Sequence, residues 1–290
     1  MKWLRTFMYV PGIQERMLAK AHTSGADALV LDLEDSVPFA EKNKAREMVS
    51  RAAKDLNQKT SSSLFVRING TQTEQCVDDI MGMDFSGLMG ISVPKVESPG
   101  QLAMVDGLLT GVERKQGLEA GTLVVIVNIE TAMGLVQSYE ILKSSDRIVA
   151  VAFGGEDFAL DLDLIRTEGA GELAYPRQMV AIAARAAGVQ AIDMVYPNIN
   201  DESGLTANTQ AGRRMGYRSK QVIHPKQVPV VNKLLAPTDE ELAQAQAIVH
   251  AFKEAERSGR GAVALDGKMV DRPVYERAER LLSLAKNMDM

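Results

Sequence analysis

Short, nearly continuous apolar runs alternate along the chain with longer stretches in which apolar positions recur every three or four residues. The runs are TFMYV (6–10), DALVLDLE (27–34), LFVRIN (64–69), LMGISVPK (88–95), LVVIVNIE (123–130), IVAVAFG (148–154), VQAIDMVY (189–196) and KQVIHP (220–225). Such runs are the pattern of strands buried on both faces of a parallel sheet. Helical periodicity fills the intervals, as in RMLAKAHTSG, QLAMVDGLLTGVERK and RQMVAIAARAAG, with Gly25 and Gly188 as stops. About eight β/α units in 290 residues predict an α/β fold of the TIM (β/α)8 barrel type rather than a doubly wound sheet.

The pattern then changes. APTDEELAQAQAIVHAFKEAERSGRG reads as a capped amphipathic helix ending at Gly259, with Thr238 and Glu241 as a capping box. GAVALDGKMVDRPVYERAERLLSLAK reads as a glycine-bounded hairpin followed by another helix. A barrel has no need of these elements. The expected division is therefore a barrel over residues 1–235 and an appended helix and lid over 236–290.

Composition narrows the function. Apolar residues make up 46% and charged residues 24%, a globular balance with material for a sizeable core. A net charge of −5 argues against a nucleic-acid surface. No apolar run approaches the roughly 18 residues that span a membrane. The apolar part of MKWLRTFMYVPG is too short for a signal peptide and runs into the first strand, so a cytoplasmic location is expected. Cys76 stands alone, which excludes an internal disulfide, and reads as an inert thiol on a helix. His22, His224 and His250 lack metal-binding spacing, and His224 reads as a turn cap or a site residue. If the protein binds a metal, its ligands are then carboxylates, which favour Mg²⁺ or Mn²⁺ over zinc.

In a TIM barrel the site forms at the C-terminal ends of the strands. Those ends carry Asp32, Glu34 and Asp35; Arg67 and Asn69; Lys95; Asn128 and Glu130; and Gly154, Gly155, Glu156 and Asp157. Charges at strand ends are often only solvated. Acids on three strands with an arginine on a fourth point instead to a shared mouth. Glu130 and Asp157, on adjacent strands, are placed to hold one Mg²⁺, which takes one or two carboxylates and fills up with water and substrate oxygens. Gly154 and Gly155 would bring backbone N–H groups against a substrate carboxylate. Glu156 would point away, because strand neighbours alternate. Arg67 would offer a planar fork to a carboxylate or enolate oxygen. Metal, arginine and N–H donors together suit the stabilisation of enolate charge.

RTFMYVPG, LVLDLEDSVP, FVRING, SVPKVES, VNIETAMGL, FGGEDF, QAIDMVYPN, KQVIHPKQV and GKMVDRP together resemble the citrate lyase β-subunit-like family of the HpcH/HpaI aldolase superfamily. The resemblance covers nearly the whole chain in order, and in QAIDMVYPN and FGGEDF it leans toward the free-CoA citramalyl-CoA and malyl-CoA lyases. It implies a TIM barrel with Mg²⁺ on Glu130 and Asp157 and substrate on Arg67. It implies coenzyme A contacts near Tyr9, Arg16 and Lys20, although Arg16 and Lys20, four apart, read by themselves as a solvated stripe. It implies a homo-oligomer, a trimer or hexamer, in which Asp271 of the tail closes over a neighbouring barrel and acts in catalysis. The implied reaction is reversible cleavage of a 3-hydroxy acyl-CoA to acetyl-CoA and pyruvate or glyoxylate, with a thioester-hydrolysing variant also open. The alternative is a citrate lyase β subunit working on a carrier-bound citryl thioester inside a multiprotein complex. A non-catalytic relative would be expected to have lost Arg67, Glu130 or Asp157.

Overall fold

The computed structural model describes residues 3–167 and 169–289. The chain divides into one compact unit over Arg5–Lys233 and a second formed by the described residues from Leu234 onward with Trp3 and Leu4.

The first unit is a closed barrel of eight parallel strands in sequence order. They are β1 (Thr6–Pro11), β2 (Ala28–Asp32), β3 (Ser63–Arg67), β4 (Gly90–Val93), β5 (Val124–Ile129), β6 (Ile148–Phe153), β7 (Gln190–Asp193) and β8 (Ser219–Val222). β1 pairs with β8 through Phe7↔Gln221 and Met8↔Val222, which closes the ring. The connecting helices are α1 (Glu15–Lys20), α2 (Lys42–Lys59), α3 (Glu74–Gly82), α4 (Pro99–Gln116), α5 (Ala132–Val136), α6 (Ser138–Leu142), α7 (Gly155–Asp161), α8 (Ala174–Ala187), α9 (Glu202–Met215) and α10 (Gln227–Leu235). Each apolar run read from the sequence contains one strand, because a strand walled by neighbours and helices has no polar face.

Except for β1, the strands end earlier than the runs do. β5 stops at Ile129 and β6 at Phe153, so Glu130 and Asp157 stand just beyond the barrel wall. Residues 155–161 form α7 rather than extended chain, which corrects the alternation argument for Glu156. Glu156 is exposed because of its place on the first helical turn, where Arg166 Nη2 meets its carboxylate at 2.7 Å.

Alternation does order the barrel interior. Tyr9 and Arg67 share the inward parity of Phe7 and Phe65, whose rings lie 6.1 Å apart in the layer below. The opposite parity faces the helices. Lys220, fully buried, places Nζ 3.0 Å from Asp193 Oδ2, and Arg177 of α8 reaches Asp193 Oδ1 at 2.6 Å. This cluster ties β7 and β8 to the helical layer and takes no part in the mouth.

The second unit has its own small core. In α11 (Asp239–Arg257), Thr238 Oγ1 accepts from the Glu241 N–H while Glu241 Oε2 accepts from the Thr238 N–H, the capping box read from the sequence. The hairpin pairs β9 (Val263–Leu265) with β10 (Lys268–Val270). Its two-residue turn, Asp266–Gly267, has φ of 48° and 74°, the left-handed pair that matches strand twist. α12 (Arg272–Asp289) follows. The Phe252 and Tyr275 rings stack at 4.7 Å, with Val270, Ile248 and Val274 packed around them.

Candidate active site

The strand ends converge on a cavity of about 400 Å³, enough for a small organic acid and the end of a longer ligand. Tyr9, Asp32, Arg67, Asn128, Phe153 and Gln221 line its strand side. Glu130, Gly154, Gly155, Glu156 and Asp157 line it from the loops that follow β5 and β6.

Arg67 is held more tightly than the sequence suggested. Nε and Nη2 donate to Asp32 Oδ1 and Oδ2 at 2.7 and 2.8 Å, a bidentate pair. Nη1 lies 2.9 Å from Glu34 Oε2 and 3.3 Å from Asp35 Oδ2, and the guanidinium sits 5.1 Å from the Tyr9 ring centroid. Burial works against the Asp32 carboxylate, but the charge and hydrogen bonds of Arg67 outweigh it and lower its pKa. The fork that the sequence offered to a ligand is thus engaged by carboxylates of the chain itself, Nε and Nη2 by Asp32 and Nη1 by Glu34 and Asp35.

Glu130 is a strongly perturbed carboxyl of the mouth. It is 2% exposed, and its Oε1 accepts from the Lys95 N–H at 2.7 Å. Burial first, then the nearby charges of Glu34 and Asp157, push its pKa up to about 8. Glu34 is raised to about 7, again by burial first and against the pull of Arg67. Lys95 Nζ stands 2.7 Å from Glu34 Oε1 and 3.6 Å from both Asp35 Oδ1 and Asp157 Oδ1. Buried Glu34 Oε2, though close to Arg67, receives no well-directed hydrogen bond.

A cation fits this setting. Carboxylates face one another at the mouth, and burial first, then its acidic neighbours, raises Glu130 above the usual carboxylate range, a cost that a cation would relieve. The donors are hard carboxylate oxygens, which suit Mg²⁺. Among the described residues no three His, Cys, Asp or Glu groups form a closed ligand set. Glu130 and Asp157 would thus supply two positions, and water or substrate the others.

Gly154 has a different role from the one expected. Its N–H donates to Ile129 O at 3.0 Å, so it is not free for a substrate. Its lack of a side chain is what matters, because a Cβ there would run into the Glu130 side chain. Gly155 opens α7, where a first-turn N–H has no intrahelical acceptor.

The remaining candidates separate. Tyr9 lies in the cavity, its hydroxyl pushed up to about 12 by burial. Arg16 and Lys20 are exposed on α1 and do not line the cavity. Asp271 caps α12 in the second unit, with Oδ1 accepting from the Val274 N–H at 3.3 Å. His224 is a turn cap, its Nδ1 accepting from the Lys226 N–H at 3.2 Å. Buried Cys76 has its thiol raised to about 11 by burial and Asp79.

Gln221 escaped the sequence reading, and Lys95 was read only in part. Gln221 lines the cavity and donates through Nε2 to Phe153 O at 2.9 Å. Alternation within β8 was the available signal, since a buried Lys220 facing the helices turns Gln221 inward. Lys95 was read as one strand-end charge among several, and its backbone role has no sequence signature.

Comparison with known proteins matches residues 5–225 to the HpcH/HpaI aldolase/citrate lyase family. The chain belongs to this family. It is 40% identical to the citrate lyase subunit beta of Leuconostoc mesenteroides subsp. cremoris, over 97% of this chain and 93% of that protein. It is 32% identical to the mitochondrial citramalyl-CoA lyase of Homo sapiens, over 98% of this chain and 86% of that protein. Among solved structures it resembles CitE from Mycobacterium tuberculosis, crystallised with magnesium, acetoacetate and coenzyme A. That likeness has a TM-score of 0.78 at 31% identity, over 97% of this chain and 98% of that one. No helix among the described residues is long and apolar enough to cross a membrane.

Proposed function

We propose that this protein is a Mg²⁺-dependent carbon–carbon lyase. It cleaves a 3-hydroxy acyl-CoA of the citramalyl-CoA or malyl-CoA type, reversibly, to acetyl-CoA and pyruvate or glyoxylate. The observation that carries the reading is the buried Glu130 carboxyl lining one cavity with Asp157 and Arg67 at the strand ends. Mg²⁺ bound there would polarise the oxygen that passes from hydroxyl to keto during cleavage. Glu130 and Asp157 would hold it. Arg67, fixed by Asp32 and by the Tyr9 ring, keeps its positive charge at the mouth and faces the enolate oxygen that develops on the acetyl half. The Gly155 N–H at the start of α7 would orient the substrate carboxylate.

The reaction also needs a group that transfers a proton to or from the acetyl half. We assign this role to Asp271 of a neighbouring subunit in a homo-oligomer, a trimer or a multiple of one. Tyr9 would meet the thioester end of the substrate, and Arg16 and Lys20, exposed on α1, would meet the coenzyme A phosphates.

The second reading is a citrate lyase β subunit acting on a carrier-bound thioester, and the 40% identity to such a subunit favours it. The purified protein, incubated with Mg²⁺ and a panel of free acyl-CoAs, separates the two. Release of acetyl-CoA and a 2-oxo acid, read by mass spectrometry, supports the first. No turnover of any free acyl-CoA, with turnover restored by a thioester-loaded carrier protein, supports the second.

A further inference from the structure

Lys95 is bound to the acidic mouth twice over. Its backbone has φ of 51°, in the left-handed region that a residue with a side chain seldom adopts. That turn aims its amide N–H at Glu130 Oε1, 2.7 Å away. Its ammonium lies 2.7 Å from Glu34 Oε1 and 3.6 Å from Asp157 Oδ1. One residue thus holds Glu130 by its main chain and faces Asp157 with its side chain. Arg67, a second cation lining the mouth, donates from Nε and Nη2 to Asp32.

We propose that Lys95 is a positioning residue with two opposed effects on the cation site: its amide aims Glu130, and its ammonium stands in for the cation at Asp157 and competes with it. The inference rests on the reading that Glu130 and Asp157 receive Mg²⁺. Without a divalent ion, the ammonium keeps Asp157, Asp35 and Glu34 from repelling one another. When the ion enters, two positive charges share the same carboxylates, and the ammonium must retreat toward Glu34. Its flexible four-carbon stem allows the retreat. Lys95 therefore weakens the hold on Mg²⁺ and keeps the site aimed and exchangeable. A residue that merely supported the fold would not do this, because its loss would loosen the metal.

Isothermal titration of the metal-stripped full-length protein with MgCl₂ at neutral pH tests the proposal. Lys95→Met removes the charge and should bind Mg²⁺ about tenfold tighter than wild type. Lys95→Arg keeps the charge and should stay within about threefold. Lys95→Gly removes the charge, keeps the amide and relaxes the positive φ, so it gives the same readout if the Met variant fails to fold. Unchanged or weaker binding in the charge-free variants, with wild type binding normally, overturns the inference and leaves the lyase reading standing. Absence of Mg²⁺ binding by wild type overturns both.

Discussion

Gly154 and Glu130 are in such close apposition that a Cβ at position 154 would stand 2.6 Å from Glu130 Cβ and nearer still to Oε2. Real side chains do not tolerate this, so Gly154→Ala must displace the carboxylate. The backbone at Gly154, φ −91° and ψ 82°, is open to alanine, so the effect is steric and local. Glu130 Cβ is fixed to the backbone and cannot swing aside, so we expect Gly154→Ala to fold but to melt several degrees below wild type. It should lose roughly 100-fold or more in kcat/KM, equivalent to about 3 kcal/mol of transition-state stabilisation. Steady-state kinetics beside a thermal melt check this.

Glu130 also sets a pH dependence. Its pKa is near 4.5 as an ordinary carboxyl and about 8 in the metal-free native state. The native state therefore binds the extra proton between those values. The associated stability is complete below about 4.5 and is lost as pH rises through 8. Glu130→Gln has no proton to lose. In EDTA it should be more stable than wild type at pH 9 by roughly 1–3 kcal/mol, with the gap closing toward pH 5. Urea denaturation across that range measures the gap. A gap that is flat or grows at low pH contradicts the assignment. Added Mg²⁺ should stabilise wild type at pH 8 and leave Glu130→Gln almost unchanged.

The barrel was legible in the sequence because burial on both strand faces writes itself as unbroken apolar runs, and Glu130, Asp157 and Arg67 stand at their ends. What lies past a strand end was less legible. The six letters FGGEDF hold the last strand residue, a glycine that makes room for Glu130, and the first helical turn carrying Glu156 and Asp157. Periodicity has no purchase on so short a change of geometry. Lys95 shows the limit from another side. Its charge is visible in the sequence, but the left-handed backbone that brings its N–H to Glu130, a residue distant in the chain, is not. Asp193 and Lys220 lie in motifs that carried the family resemblance, yet their partners Arg177 and Asn208 come from the surrounding helices, and their role is to fasten the wall.

Asp271 offers a test of the proposed oligomer. Because its carboxylate caps α12, the variant of choice is Asp271→Asn, which retains a capping oxygen while losing the acid. Alone it should fold and lose at least about 100-fold in activity, the scale of a missing general acid or base. Glu130→Ala should also be inactive. Unfolded together and refolded as mixed oligomers, the two should regain part of the wild-type rate, since some sites then combine an intact barrel with an intact tail. Mixed samples that stay inactive, while wild type refolded the same way recovers, show that the tail acts within its own chain or not at all.

The central claim is that catalysis runs through a divalent ion held at Glu130 and Asp157. Turnover of the preferred acyl thioester should be followed on metal-stripped protein, with metal content verified by mass spectrometry, as MgCl₂ is added back. The account predicts no turnover without metal and saturable recovery with it. Glu130→Ala and Asp157→Ala, both folded by circular dichroism, should show no recovery at any Mg²⁺ concentration. Full turnover by the metal-free protein, or normal recovery in either variant, would contradict it.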